Sequence, residues 1–484
     1  MTVPSFTTEY DVIVIGGGPA GENAAAYAIA NSGRTAAIVE RELVGGECSY
    51  WACMPSKALL RPGHVLSGAK AMAGITADGL DIKAVLRRRD SFTDNHDDSS
   101  QVQWATDNRI DVIRGAGRLA GVRLVEVDGR MLRARHAVVL ATGTHANIPD
   151  VPGLRDALPW TSRDATNLHE VPRRVVIVGG GVVACEAATW LAALGAEEVT
   201  MLVRGNAVLG KSEPFARERV TAGLAEAGVR IRFATAAARV ERTDPKDTGK
   251  GHVHGGPVIV EVRGDRVEPN DARIEADEII VAAGRGPATS GLGLDTVGLP
   301  EGTVEVDDQL TARGVDGDWL YAVGDVNGRA ELTHMGKYQA RVCGDVIAAR
   351  AEGHPLSQGR FAATADHGQV PQVVFTAPEV ASVGLTEAAA RAAGYSVRTV
   401  EVDIAVAGSS LARDDYCGHA KLVLDAAADT VLGATFVGPE VGEQIHAATV
   451  AVVGRVPLAT LWHAVPAYPA VSEFWLRLLE AHRA

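Results

Sequence analysis

Cysteine is scarce in this chain of 484 residues, which contains five, and aromatic residues make up 5% of it. So few cysteines argue against a framework of structural disulfides, the scaffold that small secreted domains use. Runs of lysine and arginine with interleaved aromatic residues are also missing, and the formal net charge of −13 would repel a polyanion. We therefore expect no nucleic-acid partner.

A long uninterrupted hydrophobic run is missing as well. The most apolar stretch, residues 175–196, contains Glu186 and three consecutive glycines, which a membrane-spanning helix would tolerate poorly. The first residues, MTVPSFTTEYDVIV, have neither the basic segment nor the long apolar segment of a secretory signal peptide. We expect a cytoplasmic protein without a membrane span.

A glycine-rich nucleotide-binding motif stands near the N terminus. The apolar run YDVIVI, residues 10–15, predicts a buried strand, and GGGPAG and a helical segment follow it. Gly16, Gly18 and Gly21 would form the turn, admit a pyrophosphate and let the helix pack against the strand. Glu40 ends the next predicted strand, where a carboxylate can bind ribose hydroxyl groups.

The pattern recurs in RRVVIVGGGVVACE, residues 173–186. Gly179 and Gly181 repeat the first two glycines, and Ala184 takes the third position. No acid ends the next strand; Arg204 follows it instead. Because an arginine there can pair with a 2′-phosphate, the sequence favours NADPH over NADH. A solvated surface arginine is the alternative interpretation.

The two motifs indicate an internal duplication. Each is followed later in the chain by an apolar predicted strand that runs into small residues and a glycine, Gly143 in the first case and Gly284 in the second. A further strand, in DWLYAVGD, ends at Gly324 and Asp325, where a carboxylate could hold a polyol hydroxyl. The chain is too long for one hydrophobic core. We predict an α/β fold with two Rossmann-like dinucleotide-binding domains and a C-terminal α+β domain without a nucleotide motif.

Cys48 and Cys53 form a close pair in GGECSYWACMPSK, residues 45–57. On an ideal helix their Cα atoms would be about 8 to 9 Å apart, whereas a disulfide needs about 4.4 to 6.8 Å. Either the helix is distorted there, which Pro55 favours, or Cys48 lies before it begins. A disulfide in a distorted turn would be easily reduced, which suits a redox cycle.

The surroundings of the pair also bear on its chemistry. A helix start with Lys57 nearby would lower a thiol pKa. A zinc site is the alternative, but no second Cys or His pair stands at ligand spacing, so we expect no metal. We predict that Cys185, Cys343 and Cys417 are small buried hydrophobic residues.

Taken in order, GGGPAG, GGECSYWACMPSK, ATG, GGGVVACE, AAGRGP and AVGD resemble the flavoprotein disulfide reductases, which include dihydrolipoamide dehydrogenase, glutathione reductase and mercuric reductase. The resemblance covers essentially the whole chain. It implies a homodimer, with residues 1–160 and 288–355 binding FAD, residues 161–287 binding NAD(P)H, and residues 356–484 forming the dimerisation domain.

The resemblance also implies which residues bind each cofactor. For FAD they are Gly16, Gly18, Gly21, Glu40, Lys57, Gly117, Thr142, Gly143, Gly324, Asp325, Leu332 and His334. For NAD(P)H they are Gly179, Gly181, Ala184, Glu186, Arg204 and Gly284. Cys53 would face the flavin and Cys48 the substrate, as a redox-active disulfide, and Lys57 would pair with Glu186.

One departure from the family concerns its C-terminal signature, a histidine followed by proline and, five residues after the histidine, a glutamate. The chain reads AVPAYPAVSE, with Tyr468 in the histidine position and Glu473 at the expected distance. With a pKa near 10, only about 0.1% of an unperturbed tyrosine is ionised at pH 7, so it is a poor base for a dithiol. His463 could substitute, or Tyr468 could simply pack in a dimer interface.

These observations favour an enzyme that passes electrons from NADPH, or NADH, to the Cys48–Cys53 disulfide and on to a small disulfide-like acceptor. Dihydrolipoamide oxidation is disfavoured without the histidine. Mercuric reductase also carries a tyrosine there, but its C-terminal cysteine pair is not found in the final LLEAHRA. Reduction of a quinone, metal ion or oxygen is the alternative, and a flavin-binding subunit without turnover is a third hypothesis.

Overall fold

A computed structural model describes residues 8–265, 267–357 and 359–483. The segment assessed for a signal peptide therefore begins outside the described residues. The strands are β1 (Thr8–Ile15), β2 (Ala36–Glu40), β3 (Ile110–Arg114), β4 (Gly117–Gly121), β5 (Leu124–Val127), β6 (Arg130–Leu140), β7 (Thr144–Ala146), β8 (Arg174–Val178), β9 (Glu198–Val203), β10 (Arg230–Phe233), β11 (Ala236–Arg242), β12 (Val258–Arg263), β13 (Arg273–Ala276), β14 (Glu278–Val281), β15 (Arg285–Pro287), β16 (Leu320–Ala322), β17 (Pro371–Val374), β18 (Glu379–Gly384), β19 (Val397–Asp403), β20 (His419–Asp425) and β21 (Thr430–Gly438).

The helices are α1 (Pro19–Ile29), α2 (Gly46–Tyr50), α3 (Cys53–Lys70), α4 (Ile82–Phe92), α5 (Ser99–Asp107), α6 (Ser162–Thr166), α7 (Val182–Ala193), α8 (Pro214–Glu226), α9 (Thr333–Ala351), α10 (Glu387–Ala392), α11 (Ala407–Ala412), α12 (Ile445–Val453), α13 (Leu458–Leu461) and α14 (Phe474–Arg483). None of those in the described part of the chain combines the length and the apolar character needed to cross a bilayer.

The first of two compact units comprises the chain up to Met54, Asp90–His145 and Arg285–Asp366. Its sheet has the strand order β3-β2-β1-β6-β5-β4, and β16 pairs in parallel with β6. β1 is parallel to both β2 and β6. Its middle residues, Val12, Ile13 and Val14, are fully buried, as expected for a strand covered on both faces. This confirms the predicted buried strand that leads into the first glycine motif.

Helices α1 and α9 cover one face of this sheet, where Ala24, Val139 and Val346 belong to the same buried cluster. α1 begins at Pro19, whose fixed φ suits the first helical position. A Cβ added to Gly21 would collide with the carbonyl oxygen of Gly16, so only glycine allows the helix to start this close to the strand.

The second unit comprises Pro55–Arg89, Ala146–Gly284 and His367–Ala484. A parallel sheet, β10-β9-β8-β14, carries the second glycine motif between β8 and α7. A three-stranded antiparallel sheet, β11-β12-β13, and a five-stranded antiparallel sheet, β17-β18-β21-β20-β19, complete the unit. Helices α12 and α14 pack on the five-stranded sheet through a buried cluster that includes Phe436, Ala448 and Phe474. The predicted α/β fold with a C-terminal α+β part is confirmed; the predicted domain boundaries stay predictions.

Candidate active site

The cysteine pair lies where the chain changes from one helix to the next. Cys48 is in the short helix α2, and Cys53 is the first residue of α3, with Trp51 and Ala52 between the two helices. Pro55 lies in the first turn of α3. Backbone N–H groups in that turn have no acceptor within the helix, so the N–H that proline lacks costs no helical hydrogen bond. The second sequence alternative is therefore confirmed: Cys48 lies before the regular helix begins.

Neither cysteine is in a disulfide in this structure, and both are partly exposed. The Sγ atom of Cys53 lies 3.2 Å from the Oγ1 atom of Thr333. The pKa of Cys48 is raised, mainly because a hydrogen bond with Cys53 favours its thiol form and secondly because its surroundings partly exclude water. Thr333 and the positive charge of Lys337 act in the opposite direction. The expected lowering of the thiol pKa is thus wrong for Cys48, since the second sulfur and burial outweigh the cationic help.

The first glycine motif is closed by the loop that carries the cysteines. The N–H of Gly45 donates to the carbonyl of Gly17 at 2.7 Å. Gly46 has φ +59°, and an added Cβ would lie 2.7 Å from the Cα of Gly18, so this position requires glycine. A carboxylate oxygen of Glu40 accepts a hydrogen bond from the N–H of Gly17 at 2.6 Å. This bond joins the end of β2 to the glycine motif.

A polar cluster lies beside this motif in the same unit. Asp325 accepts a hydrogen bond from the Oγ1 atom of Thr144 at 2.9 Å, and burial raises the pKa of its carboxyl group. Arg285 donates to both the Oγ1 atom and the carbonyl oxygen of Thr144 and pairs with Glu47 at 3.3 Å. The Oγ1 atom of Thr142 is buried and has no hydrogen-bond partner among the described residues. This orphaned hydroxyl and the glycine turn before α1 fit a bound dinucleotide.

The structure places nearly all of the predicted FAD residues in the first unit. Gly117 opens β4, Gly143 follows β6, Gly324 begins a 3-10 turn that contains Asp325, and Leu332 and His334 flank the start of α9. The exception is Lys57, which belongs to the second unit. Sequence reasoning missed Thr144, Arg285 and Thr333, whose residue types carry no local signature.

The second glycine motif has a similar local geometry. Gly181 precedes α7, and a Cβ added there would meet no atom within 4 Å. Ala184 is fully buried in α7. Arg204 directly follows β9, is exposed, and has no hydrogen bond or ion pair within the described residues. An open helix N terminus with a free guanidinium beside it can receive a phosphorylated nucleotide. Gly179, with φ +144°, and Gly284, with φ +108°, belong to this unit too.

Lys57 and Glu186 form an ion pair within the second unit. The Nζ atom of Lys57 lies 2.8 Å from the Oε2 atom of Glu186, whose side chain is 5% exposed. The other carboxylate oxygen accepts the backbone N–H of Phe375 at 3.0 Å. The Lys57 ammonium also lies 4.9 Å from the centre of the Phe375 ring. The pairing that the resemblance implied is present, with Phe375 as a partner that the sequence did not reveal.

Comparison with known proteins then identifies the family. The family profile "Pyridine nucleotide-disulphide oxidoreductase" matches residues 10–340, and the profile of its dimerisation domain matches residues 370–478. The chain belongs to the pyridine nucleotide-disulphide oxidoreductases. Members of this family are FAD-dependent enzymes that use a pyridine nucleotide.

Similar proteins in the family have different activities. The chain is 30% identical to a mercuric reductase of Bacillus cereus over 472 residues, which cover 96% of this chain and 70% of that protein. It is 30% identical to a dihydrolipoyl dehydrogenase of Staphylococcus aureus over 495 residues, 99% of this chain and 98% of that protein. The solved structure of the Cu(II) complex of the HOCl-induced flavoprotein disulfide reductase RclA from Escherichia coli has a similar fold, with a TM-score of 0.81, 23% identity, and coverage of 98% of this chain and 99% of that chain.

The disulphide oxidoreductase's C-terminal segment departs from the family signature as the sequence indicated. Tyr468 is 77% exposed and precedes a cis peptide bond to Pro469. Glu473 pairs with Arg477 at 3.3 Å, while its Oε2 atom is buried and has no hydrogen-bond partner among the residues that the structure describes. No hydrogen bond joins Tyr468 to Glu473 in the described part of the chain. The role of these two residues stays a prediction, and so does the alternative role of His463.

The remaining cysteines differ in exposure. Cys185 and Cys343 are fully buried, and burial raises the pKa of both thiols, that of Cys185 to about 12. Cys417 is exposed, and Arg219 donates to its sulfur at 3.2 Å. The prediction of burial is wrong for Cys417 because it lies in the loop before β20 and not within an element. Across the described residues, no group of three or more His, Cys, Asp or Glu side chains could hold a metal ion.

Proposed function

We propose that this oxidoreductase uses NADPH, and NADH less well, to reduce a small disulfide-like acceptor through Cys48 and Cys53. The observation that carries the proposal is the contact between these two thiols, created by the change from α2 to α3. Two sulfurs that share a hydrogen bond are close enough to exchange between the dithiol and the disulfide with little movement of the backbone.

When bound, FAD supplies the two-electron carrier between a nicotinamide and a cysteine pair. The residues that would hold it are those of the first unit, with Gly18 and Gly46 at the pyrophosphate and Thr142 and Asp325 offering a hydroxyl and a carboxyl group. In the second unit, Arg204 would receive the 2′-phosphate of NADPH. The Lys57–Glu186 pair would act beside the reacting groups, as the family resemblance implies.

The acceptor reaction follows thiol–disulfide exchange. The Cys48 thiolate attacks one sulfur of the acceptor, which forms a mixed disulfide and releases the first acceptor thiol after proton uptake. Cys53 then attacks Cys48, restores the protein disulfide and releases the second thiol. Each turnover therefore consumes one dithiol and yields two acceptor thiols. We propose that the chain acts as a homodimer, in agreement with the match to the dimerisation domain at residues 370–478.

A metal ion is the second candidate acceptor. It is favoured by the similarity to mercuric reductases, and the fold neighbour RclA was solved as a Cu(II) complex. In this case the ion would be a substrate: the Cys48–Cys53 dithiol would become a disulfide and release two protons, while its two electrons reduce one Hg²⁺ or two Cu²⁺ ions.

Anaerobic titration of the purified protein with NADPH and then NADH tests the proposal, followed by a panel of small disulfides, Hg²⁺, Cu²⁺ and quinones. We expect rapid bleaching of the flavin by NADPH and turnover with a disulfide that is lost in Cys48→Ser. Unchanged turnover of all acceptors in Cys48→Ser would refute a role for the dithiol. Absence of bleaching by either nucleotide would instead favour a flavin-binding subunit without turnover.

A further inference from the structure

The segment of residues 204–213 follows β9 in the second unit and ends where α8 begins. It starts with Arg204, the residue proposed to receive the 2′-phosphate of NADPH. The N–H of Leu209 donates to the carbonyl oxygen of Gly180 at 2.8 Å, and the N–H of Ser212 donates to that of Leu209 at 2.8 Å. Gly180 is the middle glycine of the second glycine motif. The segment therefore lies against the turn that would bind the pyrophosphate.

Glu213, the last residue of this segment, is 2% exposed, and its carboxylate is bound by a distant part of the chain. It stands at the N-cap position of α8, yet within the described residues its side chain makes no capping hydrogen bond to that helix. One carboxylate oxygen accepts the N–H of Glu387 at 2.6 Å, and the other lies 3.2 Å from the Nζ atom of Lys421. Glu387 is the first residue of α10, and Lys421 lies in β20. The end of the segment is thus held by two C-terminal elements.

Lys421 is a buried cation that contacts three carboxylates. Its side chain is 6% exposed, and its Nζ atom lies 2.8 Å from Glu387 and 3.2 Å from both Glu213 and Glu401. Of these acids, only Glu213 lies outside residues 370–478, the range that the dimerisation profile matches. Separating a buried ion pair leaves a charge that the protein interior cannot solvate, so the two groups are held together. The ammonium group therefore joins the segment to the C-terminal sheet.

Helix α8, which follows the segment, also packs closely on the C-terminal part of the chain. A Cβ added to Gly223 would lie 2.1 Å from the carbonyl oxygen of Ala377, so only glycine allows the helix to approach this closely. One buried cluster includes Leu209 from the segment, Leu224 from α8 and Val380 from β18. The ion pair is therefore one part of a continuous packed contact between the nucleotide-binding segment and the C-terminal sheet.

We propose that Glu213 and Lys421 are positioning residues for the nicotinamide nucleotide. Through their ion pair, the C-terminal sheet holds residues 204–213 against the second glycine motif and so fixes both Arg204 and the pyrophosphate turn. The nucleotide is placed at this motif by the proposed function, on which this inference rests. Both residues act through the segment and not on the nucleotide itself, so neither is a catalytic residue.

The first test measures binding of NADP⁺ and NAD⁺ to the oxidised holoenzyme by isothermal titration calorimetry, which requires neither an acceptor nor turnover. In Glu213→Ala the Kd for NADP⁺ should rise about three- to tenfold, because the contacts of Arg204 with the nucleotide are weakened. The Kd for NAD⁺ should also rise, because the pyrophosphate turn loses its support. Glu213→Gln keeps an acceptor for the N–H of Glu387 and should weaken binding less than Glu213→Ala does.

A second test measures hydrogen exchange of the segment by mass spectrometry. The N–H groups of Leu209 and Ser212 should exchange about tenfold faster in Glu213→Ala than in the wild type. Lys421→Met should reproduce both effects, and the double variant should equal the single variants because the two residues form one link. If Lys421→Met does not fold, Glu213→Ala decides, since Lys421 then keeps its two other acids.

Glu278→Gln is the matched control for a general loss of stability. Glu278 is also a buried acid of the second unit; it pairs with Arg242 and accepts the N–H of His254 at 3.2 Å. It opens β14, whereas the second glycine motif follows the other end of β8, the parallel neighbour of β14. Glu278→Gln should lower the free energy of unfolding but leave both Kd values and the exchange of residues 204–213 unchanged.

The outcomes separate the positioning role from the proposed function. Unchanged Kd values in Glu213→Ala, or an equal rise in Glu278→Gln, would overturn the positioning role and leave the proposed function intact. If the wild type binds NAD⁺ alone, the preference for NADPH is refuted, and the effect of Glu213→Ala on the Kd for NAD⁺ decides the positioning role. Weaker nucleotide binding in Glu213→Ala, together with acceptor turnover that survives Cys48→Ser, would support the positioning role and refute the proposed reaction.

Discussion

Replacement of Arg204 by alanine should change the preference between the two nicotinamide cofactors. Arg204 is exposed directly after β9 and has no partner within the described residues, so none of them competes for its guanidinium. A hydrogen bond to a charged group contributes about 1.5 to 3 kcal/mol. Because solvent screens an exposed site, we take the lower end of this range. The KM for NADPH should then rise about tenfold, while the KM for NADH should stay within about twofold.

The assay is steady-state reduction of one fixed acceptor with each nucleotide at two salt concentrations. Arg230→Ala is a matched control, because Arg230 is also exposed and opens β10, the parallel neighbour of β9, at the opposite end of the strands. It should leave both KM values unchanged. The effect of Arg204→Ala should shrink at high salt. An equal rise of both KM values, or no rise at all, would show that Arg204 does not recognise the 2′-phosphate.

Three further changes test other parts of the structure. Asp325→Ala removes the acceptor of the Thr144 hydroxyl and should weaken FAD binding about tenfold, measured by the fluorescence of released flavin; unchanged retention would contradict its assignment. Gly46→Ala should lower the free energy of unfolding by about 1 to 3 kcal/mol in a urea titration, because the added Cβ would lie 2.7 Å from backbone and the residue has a positive φ. Gly68→Ala is the control: it has open space around it and should not destabilise the protein. Glu186→Gln should lower the free energy of unfolding by only about 1 kcal/mol in the same assay, since the amide oxygen can still accept the Phe375 N–H and water can solvate the partly exposed Lys57. A loss above about 3 kcal/mol would show that the ion pair is a major source of stability.

The nucleotide-binding parts of the fold could be predicted because their signals are local. β1 is an apolar run that ends directly in glycines, and the helix that follows packs on it only because Gly21 lacks a Cβ. The separation of Cys48 from α3 was one of the two alternatives that the spacing left open, since five residues on an ideal helix do not bring two sulfurs together.

The surroundings of the cysteines could not be predicted in the same way. Thr333 stands 280 residues after Cys53 in the sequence, and the two side chains meet only because the folded chain brings the start of α9 to the sulfur. Phe375 binds Glu186 through its backbone N–H, which every residue except proline carries, so its residue type gives no signal. The raised pKa of Cys48 likewise depends on burial and on the second sulfur, neither of which composition reveals.

Because the five cysteines differ in burial, the number of thiols that a reagent can modify in the folded protein should report its oxidation state. Cys185 and Cys343 are buried, whereas Cys417 is exposed. A thiol reagent applied without denaturant should therefore modify one site per chain in the oxidised protein and up to three after reduction. Intact-mass spectrometry could thus follow the redox midpoint of the protein before any physiological acceptor is known.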